Sequence, residues 1–324
     1  MKDKFHSQQE KRKNPEQKQL QENKISQRLK AKLLSSLEKE AEFKVWVYFT
    51  DKGIFSQAAQ KRKLAEIRQS LDVRCRWRRL KVRSERNIVD EADLPLFSSY
   101  TKKVESMVKR LRVSSRWLNA LSIEASASQI QALSQLEFVR KIDLVASFQR
   151  DEPSSPYPGG SAEGEPSNPN IDYGPSFLQL DQINVPLLHQ LGYSGSGVLV
   201  CMLDTGFRKS HEVFGNAHLV SEWDFVNNDN NVQQDLLDPN DYSDSHGTAT
   251  WSLLGGYKPG QLVGPAWGAD FLLAKTETVN FEQPIEEDYW VAGIEWGEGL
   301  GAEVVSSSLG YIDWYTYQDM DGET

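Results

Sequence analysis

Cysteine is almost absent from this chain: Cys75 and Cys201 are the only two among 324 residues. Two thiols in different halves exclude a disulfide framework, and neither sits in a metal-binding spacing. Long apolar runs are missing too. The longest, residues 45–49 and 198–203, have the length of strands and fall far short of the roughly 18 residues of a membrane span. The first thirty residues are polar and hold no apolar stretch of the kind that directs secretion. Basic residues are scarce in the second half, where residues 151–324 carry four Lys and Arg against 28 Asp and Glu. The first 150 carry 33 against 18, so the net charge of −9 conceals halves of +15 and −24. Such a split fits a nucleic-acid or membrane-binding arm on an acidic body, or two halves of one chain that attract each other. Attraction of that kind speeds encounter and is weakened by salt.

What is present is an ordinary globular composition, 39% hydrophobic and 26% charged, at a length that suggests about two domains of roughly 150 residues each. Residues 1–42 are a polar lead-in rich in Lys, Gln and Glu. Residues 43–149 read as a small α+β domain. The pattern there predicts strands over 44–50, 117–125 and 138–145 and helices over 96–112 and 128–136. A further helix follows Ser56, with Ala59, Leu64, Ile67 and Leu71 at near-helical spacing. The densest cationic stretch, RCRWRRLKVR, spans residues 74–83. Residues 150–175 are rich in Pro, Gly, Ser and acidic side chains and read as a linker. Residues 176–324 change character. They predict a helical stretch over 177–191, a strand over 198–203, a loop-rich acidic segment to Asp244, and a helix from near Thr248. A strand over 271–275, a helix over 285–297 and a strand over 303–307 complete the series. Strands that are apolar throughout and separated by helices indicate an α/β fold, a parallel sheet buried on both faces. Ligand sites in such sheets lie at the carboxyl ends of the strands, where Asp204 and Ser308 fall.

Those strand ends carry the chemistry. A serine hydroxyl is a poor nucleophile at neutral pH, so it needs a base within hydrogen-bond reach, and the base needs an anion to fix its tautomer and stabilise its cation. Asp204 suits the anion's part, because apolar residues precede it and Thr205-Gly206 let the backbone turn at once. His246 suits the base's part, since Gly247 permits close approach and a helix follows. Either residue alone reads more plainly as a turn or cap; their order on a parallel sheet favours catalysis.

The same residues resemble a known family. GYSGSGVLVCMLDTGF (192–207), DSHGTATWSLLGG (244–256), LVGPAWGADFLLAKTE (262–277) and GIEWGEGLGAEVVSSSLGY (293–311) look like the first half of a subtilisin-like serine protease, a subtilase of the peptidase S8 family. The resemblance implies a partial subtilisin-like parallel sheet with flanking helices, Asp204 as orienting acid and His246 as general base. It also implies that Ser308, Leu309 and Gly310 form an edge that pairs with an extended protein or peptide substrate. The family's His-Gly-Thr-His-Val reads His246-Gly-Thr-Ala249-Thr250 here. The Gly-Thr-Ser that bears the nucleophile and the oxyanion asparagine are expected beyond Thr324, so the polypeptide is expected to be a truncated and inactive portion. Residues 44–148 resemble subtilase propeptides, from Ser115-Arg-Trp-Leu-Asn-Ala-Leu-Ser122 to Phe138-Val-Arg-Lys-Ile-Asp143. Such propeptides fold as an α+β domain, assist folding and inhibit until removed, which gives the charge split a use as a contact between leader and catalytic domain. The resemblance also implies secretion, although no export signal is visible.

Rival readings are weaker. Asp204-Thr-Gly206 is also a hallmark of aspartic proteases, but those need two such carboxylates sharing a proton, and no second copy exists. The acidic loop with Asp224, Asp229, Asp235, Asp238, Asp241 and Asp244 offers hard oxygen ligands for calcium, but its spacing matches no dedicated site. A solvated surface is preferred there, and no cofactor is expected. His211 and His246 lack a third partner for zinc. The non-enzymatic alternative is a pseudoprotease, or a nucleic-acid-binding module using residues 74–83 with Trp77. Contact of those arginines with the acidic half would favour the propeptide reading over nucleic acid.

Overall fold

The computed structural model describes residues 24–35, 41–145, 171–233, 243–278 and 285–310. The chain separates into two compact units, one drawn from Met1–Gln60 and Leu94–Val145, the other from Lys61–Asp93 and Ala146–Thr324.

The first unit opens with α1 (Gln27–Ser35) and β1 (Glu42–Phe49). Two helices follow in the chain, α2 (Gln57–Ser70) and α3 (Val73–Leu80), most of whose residues belong to the second unit. The first unit resumes with α4 (Ser98–Glu105), β2 (Arg110–Ser115), β3 (Ala120–Ser126), α5 (Ala127–Ser134) and β4 (Val139–Leu144). Its strands form an antiparallel sheet in the order β2-β3-β1-β4. Strand periodicity sends Phe43, Val45, Val47 and Phe49 to one face, where they pack with Leu29, Val104, Ile130 and Leu133 from the helices. Trp46 turns to the other face and meets Ala120 and Val145. Helix α5 starts on a reciprocal cap: the Gln129 N–H donates to Ser126 Oγ, and the Ser126 N–H donates to Gln129 Oε1.

The helix expected over 96–112 stops at Glu105, and Arg110–Ser115 is strand β2 instead. Tyr100, Val104, Met107 and Leu111 do keep helical spacing, but pairing with β3 decides the conformation of the last of them. Within the stretch read as a domain over 43–149, Lys61–Asp93 clusters with the second unit. Near the end of the stretch read as a linker, Tyr173 is fully buried, and its hydroxyl lies 2.9 Å from His189 Nδ1.

The second unit continues with α6 (Phe177–Gln182) and α7 (Val185–Gln190), broken at Asn184, whose φ of 59° lies in the left-handed region. Then come β5 (Leu199–Asp204), β6 (His218–Asp224), α8 (Ser245–Gly255), the short pair β7 (Tyr257–Lys258) and β8 (Leu262–Val263), β9 (Asp270–Lys275), α9 (Ile285–Gly299) and β10 (Val304–Ser307). The main sheet is parallel, in the order β10-β5-β9-β6. Every residue of β5 is buried. Val200 and Met202 pack on one face with Trp251, Phe271 and Leu273, while Leu199, Cys201 and Leu203 pack on the other with Leu272, Ala274 and Ala302. That two-sided burial is why the sequence of β5 shows no alternation. Strand β6 fell inside the stretch read as loop, since it is an edge strand with only Asp224 buried. The other edge, β10, leaves Val304 and Val305 exposed. Among the described residues no helix is long and apolar enough to cross a membrane.

Candidate active site

Asp204 ends β5, and the backbone must turn sharply after it. Gly206 does so at φ 146°, and a Cβ there would lie 2.9 Å from the Val232 carbonyl oxygen. His246 sits in the first turn of α8. The helix is held on the sheet by Trp251, which stacks on Phe214 at 3.6 Å between centroids and meets Phe207 and Phe271 edge-on. Gly247 lets the helix close on the strand end: a Cβ at that position would run into the Gly206 carbonyl oxygen and come within 3.0 Å of Asp204 Cβ.

These constraints bring His246 Nδ1 to 2.7 Å from Asp204 Oδ1. The carboxylate is 1% exposed and the imidazole 52%. Asp204 is otherwise well bound. The Thr205 N–H donates to Oδ1 at 2.7 Å, and the Thr250 hydroxyl donates to Oδ2 at 2.9 Å. The hydrogen bond to Asp204 raises the His246 pKa above its ordinary value; partial burial opposes the shift, and the carboxylate's charge adds to it. With Nδ1 held by the carboxylate, Nε2 is the nitrogen left for proton transfer, on a ring that solvent reaches.

Around the pair, Arg208 ties the turn after Asp204 to the start of α8. Its guanidinium donates to Asp244 at 3.0 and 3.4 Å, and its N–H donates to Thr248 Oγ1 at 2.7 Å. Neither Arg208 nor Thr250 was singled out from sequence. Thr250 was within reach, because it lies four residues after His246 and so shares its helical face.

Ser308, Leu309 and Gly310 leave the carboxyl end of β10, whose Ser307 is in register with Leu203, the residue before Asp204. They lie at the same end of the sheet, with Ser308 and Gly310 exposed. Of the acidic loop, Asp224 accepts from the Val226 and Asn227 N–H groups and from Asn227 Nδ2, and pairs with Lys275. Asp244 is occupied by Arg208. Asp235, Asp238 and Asp241 lie outside the described residues. Among the described residues no three His, Cys, Asp or Glu side chains cluster as metal ligands, and His211 Nδ1 accepts from the Val213 N–H in a short turn. In the cationic stretch, Arg74, Arg78, Arg79 and Lys81 are paired with carboxylates of the acidic half, while Trp77 is exposed.

Fold and site together define an α/β domain with an imidazole–carboxylate pair at the carboxyl ends of a parallel sheet, in a chain that also carries a small antiparallel domain. A family model described as the peptidase S8 propeptide domain of Bacteroidota matches residues 44–157, and one described as the subtilase family matches residues 195–323. Residues 195–323 thus carry a subtilase domain, with a peptidase S8 propeptide domain ahead of it. Among solved structures it is similar to fervidolysin from Fervidobacterium pennivorans, a keratinolytic enzyme related to subtilisin, at 17% identity and a TM-score of 0.50 over 88% of this chain and 38% of that one. The epidermin leader peptide processing serine protease from Staphylococcus aureus matches at 11% identity and a TM-score of 0.43, over 83% of this chain and 60% of that one. The chain thus spans less than two thirds of the length of either enzyme. No curated protein matches it.

Proposed function

We propose that this chain provides the acid–base half of a serine-type endopeptidase. His246 takes the proton of a serine hydroxyl and later gives it to the leaving amine, while Asp204 orients the ring and balances its charge. The observation that carries this reading is the 2.7 Å contact between a buried carboxylate and a half-exposed imidazole. An extended peptide pairs through its main chain with Ser308, Leu309 and Gly310, beside that imidazole at the same sheet end. Residues 43–149 act as the leader that assists folding and inhibits until removed. A Gly-Thr-Ser motif for the nucleophile occurs nowhere in the 324 residues, so by themselves they are expected to bind peptides without cleaving them.

The test has two parts. In the 324-residue chain, a pH titration of His246 by NMR should give a pKa above the ordinary value of about 6.5, falling by a unit or more in Asp204→Asn. An unchanged pKa would sink the pairing. In a polypeptide that also supplies the Gly-Thr-Ser serine, His246→Ala should lower kcat by about ten thousandfold or more.

A further inference from the structure

A second ionic site lies at the other end of the same sheet, where peptide hydrolysis has no use for it. Asp270 opens β9, Glu298 stands near the end of α9, and Glu303 immediately precedes β10. All three carboxylates are engaged by helix α3 and the Lys81 that caps it. Arg74 pairs with Asp270 at 2.6 Å, Arg78 and Arg79 pair with Glu298, and Lys81 pairs with Glu303. Arg79 is the anchor. Its side chain is 6% exposed, and its guanidinium donates to both oxygens of Asp93, at 2.6 and 2.9 Å, and to both oxygens of Glu298, at 2.9 and 3.0 Å. Burial by itself would favour the neutral form, but the hydrogen bonds to Asp93 and Glu298 outweigh it and hold the charge. Charge is not the whole fit. Gly301, at φ 91°, seats the helix backbone so closely that a Cβ would run into Arg74 and Cys75. Apolar burial along the arm is uneven: Cys75, Ile88 and Val89 are buried, whereas α2 buries no residue and Val73 and Trp77 are 71% and 70% exposed.

We propose that Lys61–Asp93 is a docking arm that fastens this stretch of the chain to the acidic face at the amino-terminal ends of β9 and β10, at the end of the sheet remote from Asp204 and His246. The partner this acidic face fits is a basic helix with arginines on one side, here supplied by the chain itself. The arm adds a place of attachment separate from the substrate edge.

The two cysteines report on it separately. Cys75 lies on α3, fully buried, with Sγ 3.8 Å from Glu298 Oε1; Cys201 is buried in β5. The full chain is treated with iodoacetamide, and each thiol is quantified by mass spectrometry. Arg74→Gln with Lys81→Gln removes the two most exposed pairs and leaves the ionic neighbours of the Cys75 thiol in place. Cys75 should then label about fivefold to tenfold faster, with Cys201 unchanged. Glu298→Gln removes the carboxylate shared by Arg78 and Arg79 and should speed Cys75 by a hundredfold or more. With a specific protease site placed within residues 153–168 and cut, the wild-type pieces should co-elute in low salt and the Glu298→Gln pieces should separate. Equal labelling of Cys75 and Cys201 in every variant, free labelling of Cys75 in the wild type, or co-elution of the Glu298→Gln pieces would each overturn the arm. Neither readout uses peptidase activity, so a docked arm beside a normally titrating His246 would sink the protease reading and leave the arm standing.

Discussion

At the carboxyl end of β5 one imidazole meets one carboxylate, and the imidazole is half exposed. At the amino ends of β9 and β10 four basic side chains meet Asp270, Glu298 and Glu303, and the central guanidinium is almost wholly buried between two carboxylates. The first arrangement leaves a proton-carrying group within reach of solvent and of a reacting partner. The second satisfies its charges several times over and leaves nothing free to react. Pairing of opposite charges is common to both ends, so it does not mark a reactive site. What separates them is exposure of the group that can change its charge, and an arginine does not change charge in the accessible pH range.

The largest break in this contrast should come from the amino end. Glu298→Gln leaves Arg79 buried with one carboxylate instead of two, and removing a member of a buried ionic cluster is expected to cost about 3–5 kcal/mol, read as a lowered urea midpoint at constant slope. Next comes Gly247→Ala, which forces α8 off the strand end. It should cost about 1–3 kcal/mol as an overpacked contact, and NMR should show the low-field Nδ1 proton of His246 weakened or lost. Thr250→Val removes one donor to Asp204 and should cost about 1–2 kcal/mol. It should also raise the His246 pKa further, because the carboxylate would then have fewer hydrogen bonds to share its charge. A fall in that pKa would show that the threonine does not act on the carboxylate.

The smallest effect is in pH dependence. His246 has a folded pKa raised by Asp204, so the pair's contribution is fully present below the unfolded value of about 6.5. It is lost as pH rises through the higher folded value. Because the ring is half exposed, solvent screening keeps the contribution modest. The difference in urea midpoint between wild type and Asp204→Asn should therefore shrink between pH 5.5 and 8.5. A difference that grows over that range would contradict the sign.

Several features could be read directly from residue order. The unbroken apolar run of β5 and its ending in Asp-Thr-Gly identified a strand buried on both faces and a turn after it, because two-sided burial leaves no polar position in such a strand. The placement of His246 in the first turn of a helix and of Asp204 at a strand end came from the same reasoning together with family resemblance. Other features depended on partners remote in sequence. Residues 110–115 continue a helical spacing and become a strand only because β3 offers its ladder. His218–Asp224 looks like polar loop because an edge strand buries little. The arginines of residues 74–83 look alike as a cationic run, and folding alone makes Arg79 a buried anchor while Trp77 remains exposed.

Local pattern by itself settled which segments are strands with two apolar faces, where the carboxylate and imidazole stand along the chain, and that the halves carry opposite charge. Tertiary structure alone decided which opposite charges meet, since side chains more than two hundred residues apart, such as Arg79 and Glu298, share no periodicity that could announce their contact. It also decided that Lys61–Asp93 packs with the acidic half. Strand and helix periods reflect neighbours a few residues away, whereas ion pairing and close backbone approach depend on where the whole chain has been carried.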